Sequence, residues 1–221
     1  MSRALAVLRP EPGNRATCAA VRAAGMTPIA MPLFVLAPID WTPPDPVAHD
    51  ALMVTSANAL HLAGRGLGVL AALPVLAVGP ASAAAARALG LAVALTGEGG
   101  AADLARAAAA RGYRRVLHLA AREHRVPGPP VSAAAIVYGA DPCIPAAPDR
   151  LIGSVALVHS PRAGAALAAL VDAQALPRAE IGVAAISDAA RDAAGAGWRD
   201  VVTAAAPHDA ALIAAARCLA D

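Results

Sequence analysis

Two stretches of the sequence pass abruptly from apolar residues into small or polar ones. The first is Thr55-Ser56-Ala57-Asn58, after "ALMV", and the second is His159-Ser160-Pro161-Arg162, after "VALV". Such a junction is typical of a buried strand that turns into a helix. The first N–H groups of a helix lack intrahelical partners and lie at the positive end of its dipole. Both junctions therefore predict binding sites for carboxylates, and these sites need no lysine.

Hydroxyl side chains recur at the predicted helix starts. They are Thr55, Ser56, Ser82, Ser160 and Ser187. Ligands of parallel sheets gather where strands end and helices begin, which is where these residues fall. The alternative is that each is an ordinary helix N-cap, contributing about 1 kcal/mol. For any single residue both interpretations stand, but the recurrence favours a polar ligand with several carboxylates.

Several other kinds of chemistry lack their residues. All 18 basic residues are arginine, which excludes Schiff-base chemistry on lysine and the phosphate loop that needs a lysine. The histidines show neither HxxxH nor HExxH spacing, so no metal site is expected. "GRGLG" lacks the order of a dinucleotide fingerprint, and no serine lies in GxSxG. We therefore expect a site without metal or cofactor.

The composition restricts the partners and the compartment. A net charge of +2 and 2% aromatic residues argue against nucleic acid, although arginines cluster between 111 and 125. The longest uncharged apolar run, 26–39, contains prolines and is too short to cross a membrane. Cys18, Cys143 and Cys218 form no CxxC pattern, as suits a reducing compartment. We expect a cytoplasmic protein that binds a small anionic molecule.

The order of strand and helix signals predicts an α/β fold. The chain begins with a strand, a helix with Asn14 as N-cap and Gly25 as its stop, and a second strand over "TPIAMPLFVL". Proline-rich passages at 37–49 and 138–146 are predicted linkers. Between them, and again after the second, strands alternate with helices.

The two runs of strands and helices align with each other, which indicates an internal duplication. Thr55-Ser56 matches His159-Ser160, and Val78-Gly79 matches Ile186-Ser187. We predict two doubly wound parallel-sheet domains, one formed by 1–36 with 147–221 and one inserted over 50–137. A two-stranded linker would join them, and a cleft would lie between them.

An ordered set of short motifs resembles the uroporphyrinogen-III synthase family over nearly the whole chain. The set is "VLRPEPGN", "MPLF", "VTSANAL", "AVGPASAAAARALG", "VLHLAARE", "VYGADP", "VHSPRAG" and "APHDAAL". The resemblance implies two α/β domains with both chain ends in one of them. It also implies a cofactor-free, cyclising hydro-lyase of porphyrin and heme biosynthesis. Linear hydroxymethylbilane would lose its hydroxyl and close to uroporphyrinogen III with ring D inverted through a spiro intermediate.

The resemblance also suggests roles for particular residues. Tyr138 matches the family's candidate general acid, since a phenol stays protonated at neutral pH and can donate to the leaving oxygen. An amphipathic tyrosine at a strand end is the alternative. The substrate's carboxylates would contact residues from both halves of the chain: Arg9, Thr55, Ser56, Asn58, Ser82, Ser160, Pro161, Arg162 and Ser187. A monomer is implied, and transient contact with the preceding pathway enzyme is a further expectation.

Three departures from the family pattern keep a second function open. Ala190 stands where a threonine hydroxyl is expected, and Ala140 replaces the usual threonine after Tyr138. The segment 121–135 is too short and proline-rich for the helix that many relatives carry there. The alternative is a degenerate, non-catalytic two-domain protein that binds a polycarboxylate or a tetrapyrrole.

Overall fold

The computed structural model describes residues 2–220, which form alternating strands and helices. The strands are β1 (Leu5–Val7), β2 (Pro28–Ala30), β3 (Phe34–Pro38), β4 (Ala51–Val54), β5 (Val75–Ala77), β6 (Val93–Thr96), β7 (Val116–Ala121), β8 (Val131–Pro142), β9 (Val155–Val158), β10 (Gly182–Ala185) and β11 (Asp200–Thr203). The helices are α1 (Gly13–Ala23), α2 (Ala57–Leu62), α3 (Pro80–Ala88), α4 (Ala101–Ala110), α5 (Pro161–Ala173), α6 (Asp188–Ala194) and α7 (Asp209–Ala220). Short 3-10 turns lie in some of the connections.

The described residues divide into two compact units. One contains the chain up to Val35 together with the chain from Asp141 onward, and the other is Leu36–Ala140. The chain leaves the first unit within β3 and returns to it within β8. The sequence therefore predicted two α/β sheets correctly, whereas the linker boundaries and the cleft stay predictions.

The first unit contains a five-stranded parallel sheet in the order β11-β10-β9-β1-β2. The residues of β1 and β9 are fully buried, because helices cover both faces of a parallel sheet. Side chains of α1 and α7 pack with one face, where Val21 and Leu212 belong to the same apolar cluster as Leu5 and Leu157.

The second unit contains a six-stranded sheet in the order β3-β8-β7-β4-β5-β6. Strands β8, β7, β4, β5 and β6 are parallel. Leu52 and Val54 of β4 face the cluster formed with α2 and α3, whereas Met53 faces α4. This alternation follows from the two-residue period of a strand, and it places Thr55 on the same side as Met53.

The sequence assigned the wrong role to Asn14. Helix α1 begins at Gly13, with Pro12 in the N-cap position. The buried Asn14 amide instead donates to the carbonyl oxygens of Val7 at 2.7 Å and Arg9 at 3.0 Å. It therefore ties the start of the helix to the end of β1. Gly25 was predicted correctly as the stop, since it follows the helix with a positive φ of 78°.

The single strand predicted over "TPIAMPLFVL" is in fact two strands that belong to different sheets. The chain follows β1 as far as Leu33, whose N–H donates to Leu8 O at 2.9 Å. It then enters β3 at Phe34. Pro32 lies in the break and has no N–H with which to continue a ladder.

No helix within residues 2–220 combines the length and the apolar composition needed to cross a bilayer.

Candidate functional site

Two strand-to-helix junctions lie side by side at the carboxyl edge of the second sheet. Strand β4 ends before Thr55, and the Ser56 hydroxyl caps α2 by accepting from Asn58 N at 3.2 Å. The adjacent β5 is tied to β4 by Val78 N, which donates to Val54 O at 2.9 Å. The first junction predicted from the sequence therefore occupies the edge where ligands of parallel sheets bind.

The Thr55 side chain contacts a histidine that the sequence analysis did not select. Thr55 Oγ1 lies 2.9 Å from Nε2 of His118, which is on the neighbouring β7 and only 1% exposed. Burial, and then the nearby His124, lowers the pKa of His118 to about 4. His118 is therefore a neutral imidazole at physiological pH.

Tyr138 lies on the same edge, two strands away from Thr55. It pairs with Ala121 at the end of β7, and 8% of it is exposed. Its ring packs into the apolar cluster of the α2 and α3 face. Arg122 N donates to Tyr138 O at 2.8 Å, and a Cβ on Gly139 would lie 2.6 Å from Arg122 Nη2. The Arg122 guanidinium therefore lies close to the backbone of Gly139, the residue that follows Tyr138.

The first unit repeats the arrangement at β9 and β10. The Ser160 hydroxyl caps α5 by accepting from Ala163 N at 3.1 Å, and the Ser187 hydroxyl caps α6 by accepting from Ala190 N at 3.3 Å. Ile186 N donates to Val158 O at 2.9 Å, which holds the two junctions together.

The N-cap alternative and the anion-binding role are compatible at these serines. A capping serine uses an oxygen lone pair, so its O–H remains available as a donor. Ser56, Ser160 and Ser187 thus perform the structural role while keeping a hydrogen that a carboxylate could accept.

The residues beside Ser160 complete the second predicted junction. Pro161 is the first residue of α5, where its missing N–H costs nothing. The next residue, Arg162, places its guanidinium carbon 4.4 Å from the centre of the Phe34 ring. The aromatic face therefore helps to orient this arginine.

A cluster of charged and polar side chains joins the ends of β1 and β9 to the start of α7. Arg9 Nη1 lies 3.2 Å from Asp209 Oδ1, and the Thr17 hydroxyl donates to Oδ2 of the same carboxylate. His159 places Nε2 3.4 Å from Asp209 and Nδ1 3.2 Å from Leu157 O. His159 Nδ1 thus lies within hydrogen-bond distance of the backbone, whereas its buried Nε2 faces the Asp209 carboxylate without a hydrogen-bond partner among the described residues.

The pKa of Asp209 reflects this cluster. The contact with His159 is the largest cause, partial burial opposes it, and the Thr17 hydroxyl and the Arg9 charge add to it. Together they lower the pKa of Asp209 to about 2. Arg9, which the sequence suggested as a carboxylate ligand of the substrate, thus already contacts a carboxylate of the protein.

Ser82 and Ala190 differ from the arrangement suggested by the sequence. Gly79 is the N-cap of α3, so Ser82 lies within the first helical turn and is 5% exposed. Ala190 is fully buried where α5 crosses α6, and its carbonyl oxygen would lie 2.5 Å from a Cβ on Gly164. The close crossing explains why a residue without a Cβ stands at 164.

His118, Asp209 and Arg122 are the candidate residues that sequence reasoning missed. The role of each depends on a contact with a residue distant in the sequence, so no local sequence pattern identifies it. The motifs "VLHLAARE" and "APHDAAL" contain all three, but they gave no role to the individual residues. Within the described part of the chain, no three or more His, Cys, Asp or Glu residues form a group that could hold a metal ion.

Comparisons with known proteins agree with this architecture. Residues 16–126, half of the chain, match the family model described as uroporphyrinogen-III synthase HemD. The structure of uroporphyrinogen-III synthetase from Helicobacter pylori is similar, with a TM-score of 0.62, 17% identity and coverage of 99% of this chain and 100% of that one. A mutant uroporphyrinogen III synthase from Thermus thermophilus gives a TM-score of 0.50, 16% identity and 99% coverage of both chains. At these identities the structural likeness concerns the fold. No curated protein sequence matches the chain.

Proposed function

The chain belongs to the uroporphyrinogen-III synthase family, and we propose that it performs the family's reaction with donors at the carboxyl edges of its two sheets. The reaction is the cyclisation of linear hydroxymethylbilane to uroporphyrinogen III, with inversion of ring D and loss of water. The enzyme is thus a cyclising hydro-lyase of porphyrin and heme biosynthesis. The family match over residues 16–126 is the observation that carries this conclusion.

The donor groups of the two edges suit the substrate. Each pyrrole of hydroxymethylbilane carries an acetate and a propionate, and ionised carboxylates only accept hydrogen bonds. The O–H groups of Ser56, Ser160 and Ser187 and the cation of Arg162 can supply what they accept. Hydrogen bonds to charged groups contribute about 1.5–3 kcal/mol each, so a few of them suffice to orient one chain conformation.

The main task of such a site is conformational. Hydroxymethylbilane closes without an enzyme to the uninverted isomer, so the protein must hold the chain such that ring D reacts through its substituted carbon. Fixing a flexible substrate in one reactive geometry is a known source of rate acceleration. Several carboxylate contacts on two rigid sheets provide the fixed points that this requires.

Tyr138 is the proposed general acid for departure of the hydroxyl. Its place at the carboxyl edge supports this role. The phenol would donate to the leaving oxygen. A Tyr138→Phe variant should lose turnover while it retains affinity for the substrate. Unchanged turnover would remove the phenol from the mechanism.

The product isomer tests the proposed function. Purified protein, supplied with enzymatically generated hydroxymethylbilane, should yield the type III isomer in excess over the type I isomer formed without enzyme. Type I alone would reject the synthase activity. If the protein then still bound the tetrapyrrole in a fluorescence titration, the non-catalytic binding alternative would replace it.

We also propose that the protein acts in the cytoplasm as a monomer, in transient contact with the enzyme that supplies hydroxymethylbilane. The three unpaired cysteines suit a reducing compartment. The spontaneous closure of the bilane favours its direct transfer between enzymes. Analytical ultracentrifugation should show a single species with the mass of one chain. Adding the enzyme that supplies hydroxymethylbilane should broaden the sedimentation boundary of this species. A stable dimer would contradict the monomer.

A further inference from the structure

His118 lies directly behind a predicted substrate-binding hydroxyl. It pairs in register with Met53 on the adjacent strand β4, and Thr55 follows two residues later on the same side of the sheet. The side chains of Thr55 and His118 therefore meet, with Oγ1 and Nε2 2.9 Å apart. A polar side chain that is 99% buried at this place requires a reason, because burying it costs free energy unless it is hydrogen-bonded.

Two hydrogen-bond arrangements are compatible with this distance. Because burial and His124 lower its pKa to about 4, His118 is neutral and carries one N–H. If that N–H is on Nε2, it donates to Thr55 Oγ1, and the threonine hydrogen remains available. If it is on Nδ1, the threonine must donate to Nε2, and Oγ1 can then only accept.

The surroundings of Nδ1 decide between the two arrangements. Nδ1 is buried, and within residues 2–220 it has no hydrogen-bond partner. Buried N–H donors without an acceptor are rarer in proteins than acceptors that lack a donor. The proton is therefore better placed on Nε2, where an acceptor lies 2.9 Å away.

The neighbouring His124 makes no hydrogen bond with Nδ1 of His118. Its own Nδ1 is 2.9 Å from Ala121 O, and its ring meets that of His118 edge-on with the centroids 5.4 Å apart. The hydrogen-bond partners of His118 within residues 2–220 thus favour the tautomer with the proton on Nε2.

The geometry points to His118 as a positioning residue that donates from Nε2 to Thr55 Oγ1 and thereby leaves the threonine hydrogen for a substrate carboxylate. This inference rests on the proposed function, in which Thr55 binds a substrate carboxylate. An ionised carboxylate only accepts hydrogen bonds, so it needs the threonine hydrogen. It also explains why an imidazole interrupts the apolar strand β7. A hydroxyl that accepts from His118 keeps its own hydrogen free to donate.

The tautomer can be measured on the free protein, independently of activity. Nitrogen-15 NMR of the His118 imidazole in the full-length protein should show the proton on Nε2. A proton on Nδ1 would overturn the inference whatever the enzyme does. Conversely, a wild-type protein that forms only the type I isomer would reject the proposed function while leaving the tautomer result intact.

Kinetics test the consequence for substrate binding. His118→Leu should raise the KM for hydroxymethylbilane about fivefold with little change in kcat, as expected for one neutral hydrogen bond. His118→Gln should keep the KM close to the wild-type value, because the glutamine amide can donate to Thr55 Oγ1. In a Thr55→Val background, His118→Leu should add nothing further.

Additive effects of the two substitutions, or a failure of glutamine to restore the KM, would contradict the inference. If the His118→Leu variant does not fold, the His118→Gln variant and the NMR measurement still test the inference. A general loss of stability would lower kcat through the amount of active protein, whereas the expected signature is a change in KM.

Discussion

The buried His118 predicts a specific pH dependence of stability. Its pKa is about 4 in the folded protein against an ordinary 6.5. As the pH falls below 6.5 the unfolded chain binds a proton that the folded protein does not, so stability is lost until the pH reaches about 4. Proton linkage with these two values gives a loss of about 2 kcal/mol between pH 8 and pH 5 from this one side chain.

His118→Gln isolates this contribution. Glutamine can still donate to Thr55 but does not titrate in this range, so the variant should lose about 2 kcal/mol less stability than the wild type between pH 8 and pH 5. The measurement is urea denaturation at both values, with the difference between the two proteins taken at each pH. The exposed His61, replaced by glutamine in the same way, is the matched control for the substitution itself.

An equal pH dependence in the wild type and the His118→Gln variant would refute this reasoning. It would mean that His118 is protonated in the folded protein, or that water reaches the ring. Either result would also weaken the argument for the neutral tautomer.

Two further predictions concern packing and charge. Gly164→Ala places a methyl 2.5 Å from the backbone oxygen of Ala190, so α5 and α6 must separate. The free energy of unfolding, measured by thermal unfolding, should fall by about 1–3 kcal/mol. Gly68→Ala, whose new methyl meets nothing within 4 Å, is the matched control, and an equal effect of both substitutions would contradict the close crossing. Asp209→Asn should cost about 1 kcal/mol at neutral pH, because the carboxylate is partly exposed and its contacts are screened. Since its folded pKa is about 2 against an ordinary 3.8, the wild type should lose this advantage as the pH falls from about 4 to 2, and a difference that persists at pH 2 would argue against the ionic origin.

The sequence predicted those features of the fold and site that depend on local signals. Ser56, Ser160 and Ser187 follow apolar runs and precede helices, and each is an N-cap in the structure. Gly25 stops α1 because only a residue without Cβ adopts its conformation easily. The alternation of strands and helices likewise gave the two α/β sheets.

Features that depend on distant neighbours were not predictable. Asn14 resembles an N-cap locally, yet the carbonyl groups at the end of β1 bind its amide. The strand over "TPIAMPLFVL" divides because its second half pairs with a segment about a hundred residues later. His118 acquires its partner only when β7 pairs with β4.

The central claim is that capping serines on both sheets also bind substrate carboxylates. Ser→Gly at an N-cap costs only a few tenths of a kcal/mol, so a Ser56→Gly, Ser160→Gly double variant should remain folded while it lacks both hydroxyl donors. The account predicts that its KM for hydroxymethylbilane rises by at least about tenfold, since hydrogen bonds to charged groups contribute about 1.5–3 kcal/mol each. A KM equal to that of the wild type, in a variant of unchanged stability, would show that these serines only cap their helices.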